Sequence, residues 1–241
     1  MTQRVLVTGA SSGIGLGISE VLAEAGYQVH AVARRADRLD DLARRTGCNA
    51  HAVDVTDSAA METLVNEIQP EIVICNAGRA GGFDGLANTR PEDVAKTIAL
   101  NVTATLDLIR LCLPGMIERR GGHIVTISSV AAIYPSVSSL YGSSKAAIQM
   151  AAQNLRLELR GTGIRVTDIR PGRVTSEIYQ HAFSDPAKVA RAIDTGIREL
   201  QPREIGDAVL FAVSAPQHVN VSAIELQPVE QTYGGLNFDP V

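Results

Sequence analysis

The sequence predicts an α/β protein: a doubly wound parallel sheet of about seven strands, with helices on both faces, in a single domain spanning residues 1–241. Three observations carry this. Short β-branched runs alternate with helix-period segments along the whole chain, as in successive βαβ units. Several of the runs are nearly continuous in apolar residues, such as Ile72-Val73-Ile74 and Ile124-Val125-Thr126-Ile127, which suits strands covered on both faces. No repeat, low-complexity tract or Pro/Ser-rich linker marks a boundary, and 241 residues is a length that one α/β domain can fill.

Taken in order, strands are expected at about 4–8, 27–33, 50–53, 71–75, 123–128, 164–169 and 223–227. Helices are expected between them at about 14–25, 36–46, 58–68, 91–119, 141–160, 186–198 and 204–214. The 91–119 helix is expected to bend near its end, where Pro114-Gly115 interrupts it. The loosest segments are 81–85 and 173–186, each following a strand at the carboxyl edge, where open α/β sheets bind ligands. The tail 231–241 carries little pattern and is expected to lie over another surface.

Composition narrows the function. Hydrophobic residues make up 45% of the chain, ample for a core and far above disordered compositions. With 22 Lys and Arg against 26 Asp and Glu, the net charge of −4 does not support a nucleic-acid footprint. Cys48, Cys75 and Cys112 are odd in number and form no CxxC pair, which argues against a disulfide framework and for a reducing compartment. The histidines, His30, His51, His123, His181 and His218, are too scattered for a metal cluster, so no metal is expected. No apolar run approaches the ~18 residues of a membrane span. The N-terminus enters its first strand without a signal-peptide pattern, so a cytoplasmic chain is expected.

The first strand leads into Gly9-Ala10-Ser11-Ser12-Gly13-Ile14-Gly15, which opens an apolar helix. Glycines at these positions permit a tight turn and close backbone approach to a pyrophosphate, and the helix N-terminus adds free N–H groups at its positive end. A glycine trio alone equally suits an ordinary strand-to-helix turn; its place after the first strand of a βαβ unit favours a dinucleotide site. Strand two ends not in the acid that would hold a ribose 2′-hydroxyl but in Arg34-Arg35. Guanidinium forks match phosphate oxygens, so NADP is preferred over NAD.

Tyr141 and Lys145 are spaced i, i+4 and share one helix face. Ser128 ends the strand at 123–128, thirteen residues before Tyr141, and Asn101 lies within the long helix. Together with Thr8-Gly9-x-x-x-Gly13-x-Gly15, Asp54-Val55, Asn76-Ala77-Gly78 and Pro171-Gly172, these residues resemble the short-chain dehydrogenase/reductase family, whose fold is of the Rossmann type. The resemblance covers essentially the whole chain, in family order and spacing.

The resemblance implies Tyr141 as acid/base, with Lys145 lowering its pKa and holding the ribose hydroxyls. It implies Ser128 as the hydrogen-bond partner of the reacting oxygen and Asn101 as the residue ordering a proton-relaying water. A free tyrosine titrates near ~10, and a nearby ammonium together with the nicotinamide's positive charge favours the phenolate. Ser11, Ser12 and Ile14 of the turn, Asp54 and Val55 beside the adenine, and Asn76, Ala77 and Gly78 near its ribose would complete the nucleotide site. The backbone after Pro171-Gly172, including Val174, would meet the nicotinamide. Cys75 stands where the family commonly has Asn, and a packing change is expected there rather than lost activity.

The segment from His218 through Asn237, together with Arg165-Val166-Thr167-Asp168-Ile169, is similar to one branch, the NADP-dependent 3-hydroxy acid dehydrogenases. That branch acts on serine, 3-hydroxypropionate and malonic semialdehyde, and near relatives reduce sulfoacetaldehyde. Arg79, at the pocket mouth, and Arg173, after Pro171-Gly172, are candidates to pair with an acidic substrate, and a solvated loop arginine is an equal alternative for each. Ile133, Tyr134 and Pro135 should wall the pocket and leave a bulkier ketone or secondary alcohol open. Reduction of 3-oxoacyl groups on a carrier protein would need a basic docking patch, for which Arg119-Arg120 and Arg156/Arg160 are candidates. A non-catalytic NADP sensor is disfavoured because Asn101, Ser128, Tyr141 and Lys145 are all present. By resemblance a homotetramer is expected, a dimer being the alternative. The helical stripes Ile98, Val102, Leu106, Ile109 and Ile148, Ala152, Leu155, Leu159 face either a partner or the sheet.

Overall fold

The computed structural model describes residues 2–183 and 185–231. Its strands are β1 (Arg4–Thr8), β2 (Gln28–Ala33), β3 (Asn49–Ala52), β4 (Ile72–Cys75), β5 (Gly122–Ile127), β6 (Ile164–Pro171) and β7 (Ala223–Leu226). The helices are α1 (Gly13–Glu24), α2 (Ala36–Thr46), α3 (Ser58–Ile68), α4 (Pro91–Ile98), α5 (Ala104–Glu118), α6 (Ser139–Glu158), α7 (Pro186–Ile193) and α8 (Pro202–Ser214). The strands form one sheet in the order β3-β2-β1-β4-β5-β6-β7, each neighbouring pair parallel. The order reverses between β1 and β4, so a crevice opens at their carboxyl ends, where such sheets bind ligands.

Strand alternation divides the core into two layers. Val5 and Val7 of β1 pack with Ile18 and Leu22 of α1 and Val209 of α8 on one face. Leu6, between them, points to the other face with Val73, Leu64, Leu108, Met116 and Leu155. Side chains of this kind, when fully buried, each contribute roughly 1.5–3 kcal/mol. Local chemistry sets the helix ends. Asp57 caps α3 by accepting from the Ala60 amide, and Gly47 closes α2 in the left-handed conformation. Ser138 caps α6 by accepting from the Tyr141 amide, so that helix starts two residues earlier than its apolar pattern suggests.

The structure refines the sequence-based expectations in three places. The chain stays helical through Pro114 to the end of α5 at Glu118, and a π turn that the apolar pattern does not announce lies at Ala99–Thr103 between α4 and α5. The helix expected at 186–198 ends at Ile193, because the backbone after Gly196 extends to pair Leu200 with Val174. The α6 stripe (Ile148, Ala152, Leu155, Leu159) faces the sheet, whereas on the other stripe Ile109 is buried and Ile98 and Leu106 are exposed. Residues 91–118 form the one helical run among the described residues that is long and apolar enough to cross a membrane. Its inner face (Leu108, Ile109, Cys112, Met116) packs into the second core layer. Except for Gln231, the tail assigned to another surface lies outside the described residues.

Candidate active site

The glycine turn leaves β1 and enters α1 at the switch point. Gly9 takes φ of +69°, a conformation that side chains other than glycine's rarely adopt. A Cβ on Gly15 would lie 2.3 Å from the Gly9 carbonyl oxygen, so the first turn of α1 sits directly on the strand exit. Thr8 ties this exit to the next loop. Its Oγ1 accepts from the amides of Asn76 (3.0 Å) and Ala77 (3.1 Å) and donates to the Ile74 carbonyl at 3.2 Å. Asn76 Nδ2 donates back to the Thr8 carbonyl at 2.8 Å. Ser12 stands at the N-cap in extended backbone, and Ile14 packs against the first core layer. The α1 amides therefore open toward the crevice with the positive end of the helix behind them.

Arg35 reaches across this turn. Its Nε and Nη2 donate to Ser11 Oγ at 3.1 and 2.9 Å, its Nη2 to Ser12 Oγ at 2.6 Å, and its Nη1 to Glu177 at 2.9 Å. Arg38, on α2, donates to the other oxygen of Glu177 at 2.7 Å. The two guanidinium groups hold the Glu177 carboxyl below its usual range, Arg35 more than Arg38. Arg34 points elsewhere, 3.9 Å from Asp54 and largely exposed. The Asp54 carboxyl is held low chiefly by the Thr56 amide, and Val55 packs against the second core layer. No carboxylate occupies the end of β2, so this donor set fits a nucleotide carrying a 2′-phosphate.

Beyond the switch point, α6 presents Tyr141 and Lys145 one turn apart. Lys145 is buried, donates to the Ile127 carbonyl at 2.8 Å, and lies 5.9 Å from the Tyr141 ring centroid. Burial pulls its ammonium down to about 8, against the opposing attraction of Asp168. That carboxylate is buried and accepts from Thr126 Oγ1 at 2.9 Å and Arg170 Nε at 2.8 Å. Tyr141 differs from expectation. Burial pushes its phenol up, Tyr179 adds to this, and a hydrogen bond with the Ser129 side chain opposes it. With the protein's own groups, desolvation sets the direction, and the Ser129 hydrogen bond is what opposes it.

Ser128, the serine chosen by spacing, does not meet Tyr141: its Oγ donates to the Ile169 carbonyl at 3.3 Å on the β6 side. Adjacent residues of an extended chain face opposite ways, so Ser129 is the one turned to the phenol. Ser129 Oγ also accepts from the Ala131 amide at 3.1 Å, capping a short 3-10 turn. Asn101 sits in the π turn, a distortion frequent at functional sites. Its Oδ1 accepts from the Arg79 amide at 2.9 Å, and its Nδ2 donates to the Arg79 carbonyl and to Ser144 Oγ, both at 3.0 Å. Gly78 lies against both Asn101 and Lys145.

The two segments expected to be loose lie together over Tyr141. Phe83 contacts the rings of Tyr141, Tyr179 and Phe183 at 6.0, 5.8 and 5.4 Å between centroids. Lys188 pairs with Asp84 at 2.7 Å. Arg79 pairs with Asp93 at 3.4 Å, sharing that carboxylate with Arg90. Arg173 is buried: it pairs with Glu199 at 2.6 Å, stacks 3.9 Å from the Tyr179 ring centroid, and leaves Nη1 without a hydrogen-bond partner. Pro171 ends β6, the Gly172 amide donates to Leu226, and Val174 bridges Leu200. Tyr134 is half-buried beyond the 3-10 turn. Of the basic residues considered for a carrier protein, Arg119 and Arg156 donate to the Pro70 and Ser222 carbonyls.

Ser129, Arg38, Glu177, Phe83 and Tyr179 were not singled out from the sequence. For Ser129 the available signal was its place next to Ser128 at a strand exit, where adjacent residues face opposite ways. Glu177 meets Arg35 and Arg38 across 142 and 139 positions, a separation over which local patterns say nothing.

Residues 3–187 match the family model described as short chain dehydrogenase. The chain is 35% identical to the NADP-dependent 3-hydroxy acid dehydrogenase of Escherichia coli (strain K12), over 97% of this chain and 98% of that one. It is 30% identical to serine 3-dehydrogenase of Rhizobium radiobacter, over 98% of each. Its fold superimposes on the closed form of serine dehydrogenase complexed with NADP+ with a TM-score of 0.91 at 35% identity, covering 98% of both chains. Serine dehydrogenase from Escherichia coli gives a TM-score of 0.83 at 32% identity, with 96% of this chain and 100% of that one covered.

Proposed function

The chain belongs to the short-chain dehydrogenase family, and on that premise we propose that it is an NADP-dependent oxidoreductase interconverting a short 3-hydroxy acid and its carbonyl form through Tyr141. The observation that carries the chemistry is the placement of a half-buried tyrosine between Ser129 and Lys145, beside a nucleotide turn crossed by Arg35. Near-full-length similarity to 3-hydroxy acid and serine dehydrogenases supports the substrate class.

Bound NADP supplies the hydride acceptor and, at the nicotinamide, a positive charge. Gly9, Ser11, Ser12, Gly13, Ile14 and Gly15 form its pyrophosphate turn, Arg35 and Arg38 its 2′-phosphate site, and Asp54, Val55 and 76–78 its adenosine side. Tyr141 moves the proton at the substrate hydroxyl. Its raised pKa keeps the phenol protonated, the form that donates to a carbonyl oxygen; for alcohol oxidation, nearby positive charge must favour the phenolate. Ser129 hydrogen-bonds the reacting oxygen, the role the spacing rule gave Ser128. Lys145 holds the ribose and supplies positive charge beneath the phenol. The Asn101 side chain locks the Arg79 backbone to α6, so the relaying water falls to its carbonyl, which also accepts from Thr105 Oγ1 at 3.1 Å.

For an acidic substrate, Arg173 is favoured over Arg79. Its buried Nη1 lacks a partner, and an unmet buried donor costs about 1–3 kcal/mol, which a substrate carboxylate would recover. A homotetramer in the cytoplasm completes the proposal; exposed Ile98, Leu106 and Ile117 on one helical run and Met150 and Leu157 on α6 offer the apolar surface.

The test is initial-rate NADP+ reduction with serine, 3-hydroxypropionate, 3-hydroxyisobutyrate, isethionate and neutral secondary alcohols. Preference for the acids, with Arg173→Glu raising KM for acids far more than for neutral alcohols, is the expected result. Equal effects on both classes, or preference for neutral alcohols, would remove the hydroxy-acid reading while leaving the reductase chemistry standing.

A further inference from the structure

We infer that Glu177 is a built-in competitor for the 2′-phosphate site, and that its displacement couples recognition of the cofactor's phosphate to the wall of the substrate pocket. The inference rests on the reading of Arg35 and Arg38 as the phosphate-binding pair. Glu177 lies at the start of the 3-10 turn Glu177–His181 in the segment after β6. Its two carboxylate oxygens are divided between the guanidinium groups, at 2.9 Å from Arg35 and 2.7 Å from Arg38. A carboxylate on two arginine forks makes the same charge-assisted contacts as a phosphate dianion, with less charge and one oxygen fewer. The Arg35 forks cannot be filled twice, since Nε and Nη2 are already on the serines of the glycine turn.

A second contact places the same segment over the pyrophosphate position. Ser176 covers the glycine turn so closely that a Cβ on Gly13 would lie 3.1 Å from its own Cβ. The segment therefore covers both places where the cofactor carries negative charge. Two residues on, Tyr179 stacks on Arg173 and meets the edge of Phe83, which in turn contacts Tyr141. One short turn thus carries an anion on the arginines at one end and a ring against the catalytic cluster at the other. A ligand shifts such an arrangement only by its different affinity for the two positions of the turn. The 2′-phosphate has that difference because it needs the groups that Glu177 holds. A nucleotide without it meets only the Ser176 contact, so displacement of Glu177 weighs on NADP more than on NAD. The apparent affinity for the phosphate is lowered by the fraction of molecules in which Glu177 is engaged.

The test uses the full chain and two fragments, 2′,5′-ADP and 5′-AMP, with dissociation constants measured by calorimetry for the wild type and Glu177→Gln. Glutamine keeps the size and removes the charge. The pairs are partly exposed, so a modest effect is expected: about tenfold tighter 2′,5′-ADP binding in the variant, with a smaller gain for 5′-AMP, whose phosphate meets only the Ser176 side of the segment. Amide hydrogen exchange of residues 174–183 should rise when the wild type binds 2′,5′-ADP and should already be raised in the variant. Weaker 2′,5′-ADP binding by Glu177→Gln would overturn the proposal, making Glu177 a residue that orients the arginines. Unchanged binding would overturn it also. If the wild type itself binds the two fragments equally, the phosphate-site reading of Arg35 and Arg38 fails, and the competitor falls with it.

Discussion

Replacing Ser129 by alanine separates the geometry of the site from the spacing rule that pointed to Ser128. Two effects follow from the contacts of Ser129. Its Oγ accepts from the Ala131 amide at 3.1 Å, and losing such a cap costs about 0.5–2 kcal/mol; the low end applies to a single 3-10 turn. Its hydrogen bond to Tyr141 opposes the upward push of burial on the phenol, so removing it raises that pKa further. If the same hydroxyl holds the reacting oxygen, its loss lowers kcat by about 10²–10³, the range for one donor at a developing charge. Ser128→Ala removes only a 3.3 Å bond to the Ile169 carbonyl, worth about 0.5–1.5 kcal/mol, and leaves kcat near wild type. Steady-state NADPH absorbance with thermal unfolding in parallel reads both quantities. The reasoning is refuted if Ser128→Ala loses activity by two orders of magnitude while Ser129→Ala does not.

Other consequences follow from the same structure. Gly15→Ala places a Cβ 2.3 Å from the Gly9 carbonyl oxygen and 2.5 Å from Asn76 Nδ2. The gain in helix propensity, about 1 kcal/mol, is outweighed by overpacking of roughly 1–3 kcal/mol. Calorimetry should show lowered stability and weakened NADP binding; unchanged binding would mean the turn can widen freely. His30 and His123 are pulled down by burial to about 4 and about 3, below the ~6.5 of an unfolded chain. The unfolded state therefore binds more protons as pH falls, and stability present above ~6.5 is lost progressively below it, by up to ~1.4 kcal/mol per pH unit for each histidine. Urea unfolding between pH 7 and 5 should show this slope, and His123→Gln should make it shallower; an unchanged slope would contradict the assignment.

How much of this was legible before the structure depended on the range of the interaction. The central strands β1, β4 and β5 were plain because each is a short apolar run whose burial needs no distant partner to reveal it, whereas the edge strands β3 and β7 are mostly exposed and were read from the alternation of elements. Tyr141, Lys145 and the glycine turn were legible for a similar reason, since their spacing acts within one helix or one turn. The π turn at Asn101 was not, because helix-period apolar residues continue through it and the clamp on the Arg79 backbone comes from another loop. Ser129 was missed because a count of residues to Tyr141 fixes distance along the chain and not the face of a strand exit. The early end of α7 reflects pairing of Leu200 with Val174, and the engagement of Arg35 and Arg38 reflects Glu177 on a remote loop. Neither leaves a local trace. Arg34 and Arg35 looked equivalent in sequence, and only packing on Ser11 and Ser12 distinguishes them.

The central claim, that Tyr141 carries the proton in an NADP-linked reaction on a hydroxy acid, is tested most directly by comparing wild type with Tyr141→Phe. NADPH formation from serine or 3-hydroxypropionate would be measured alongside NADP+ affinity by calorimetry. The account predicts a fall in turnover of at least the ~10²–10⁴ that general acid–base help supplies, with cofactor affinity essentially retained. Turnover within a fewfold of wild type in the phenylalanine variant would contradict it.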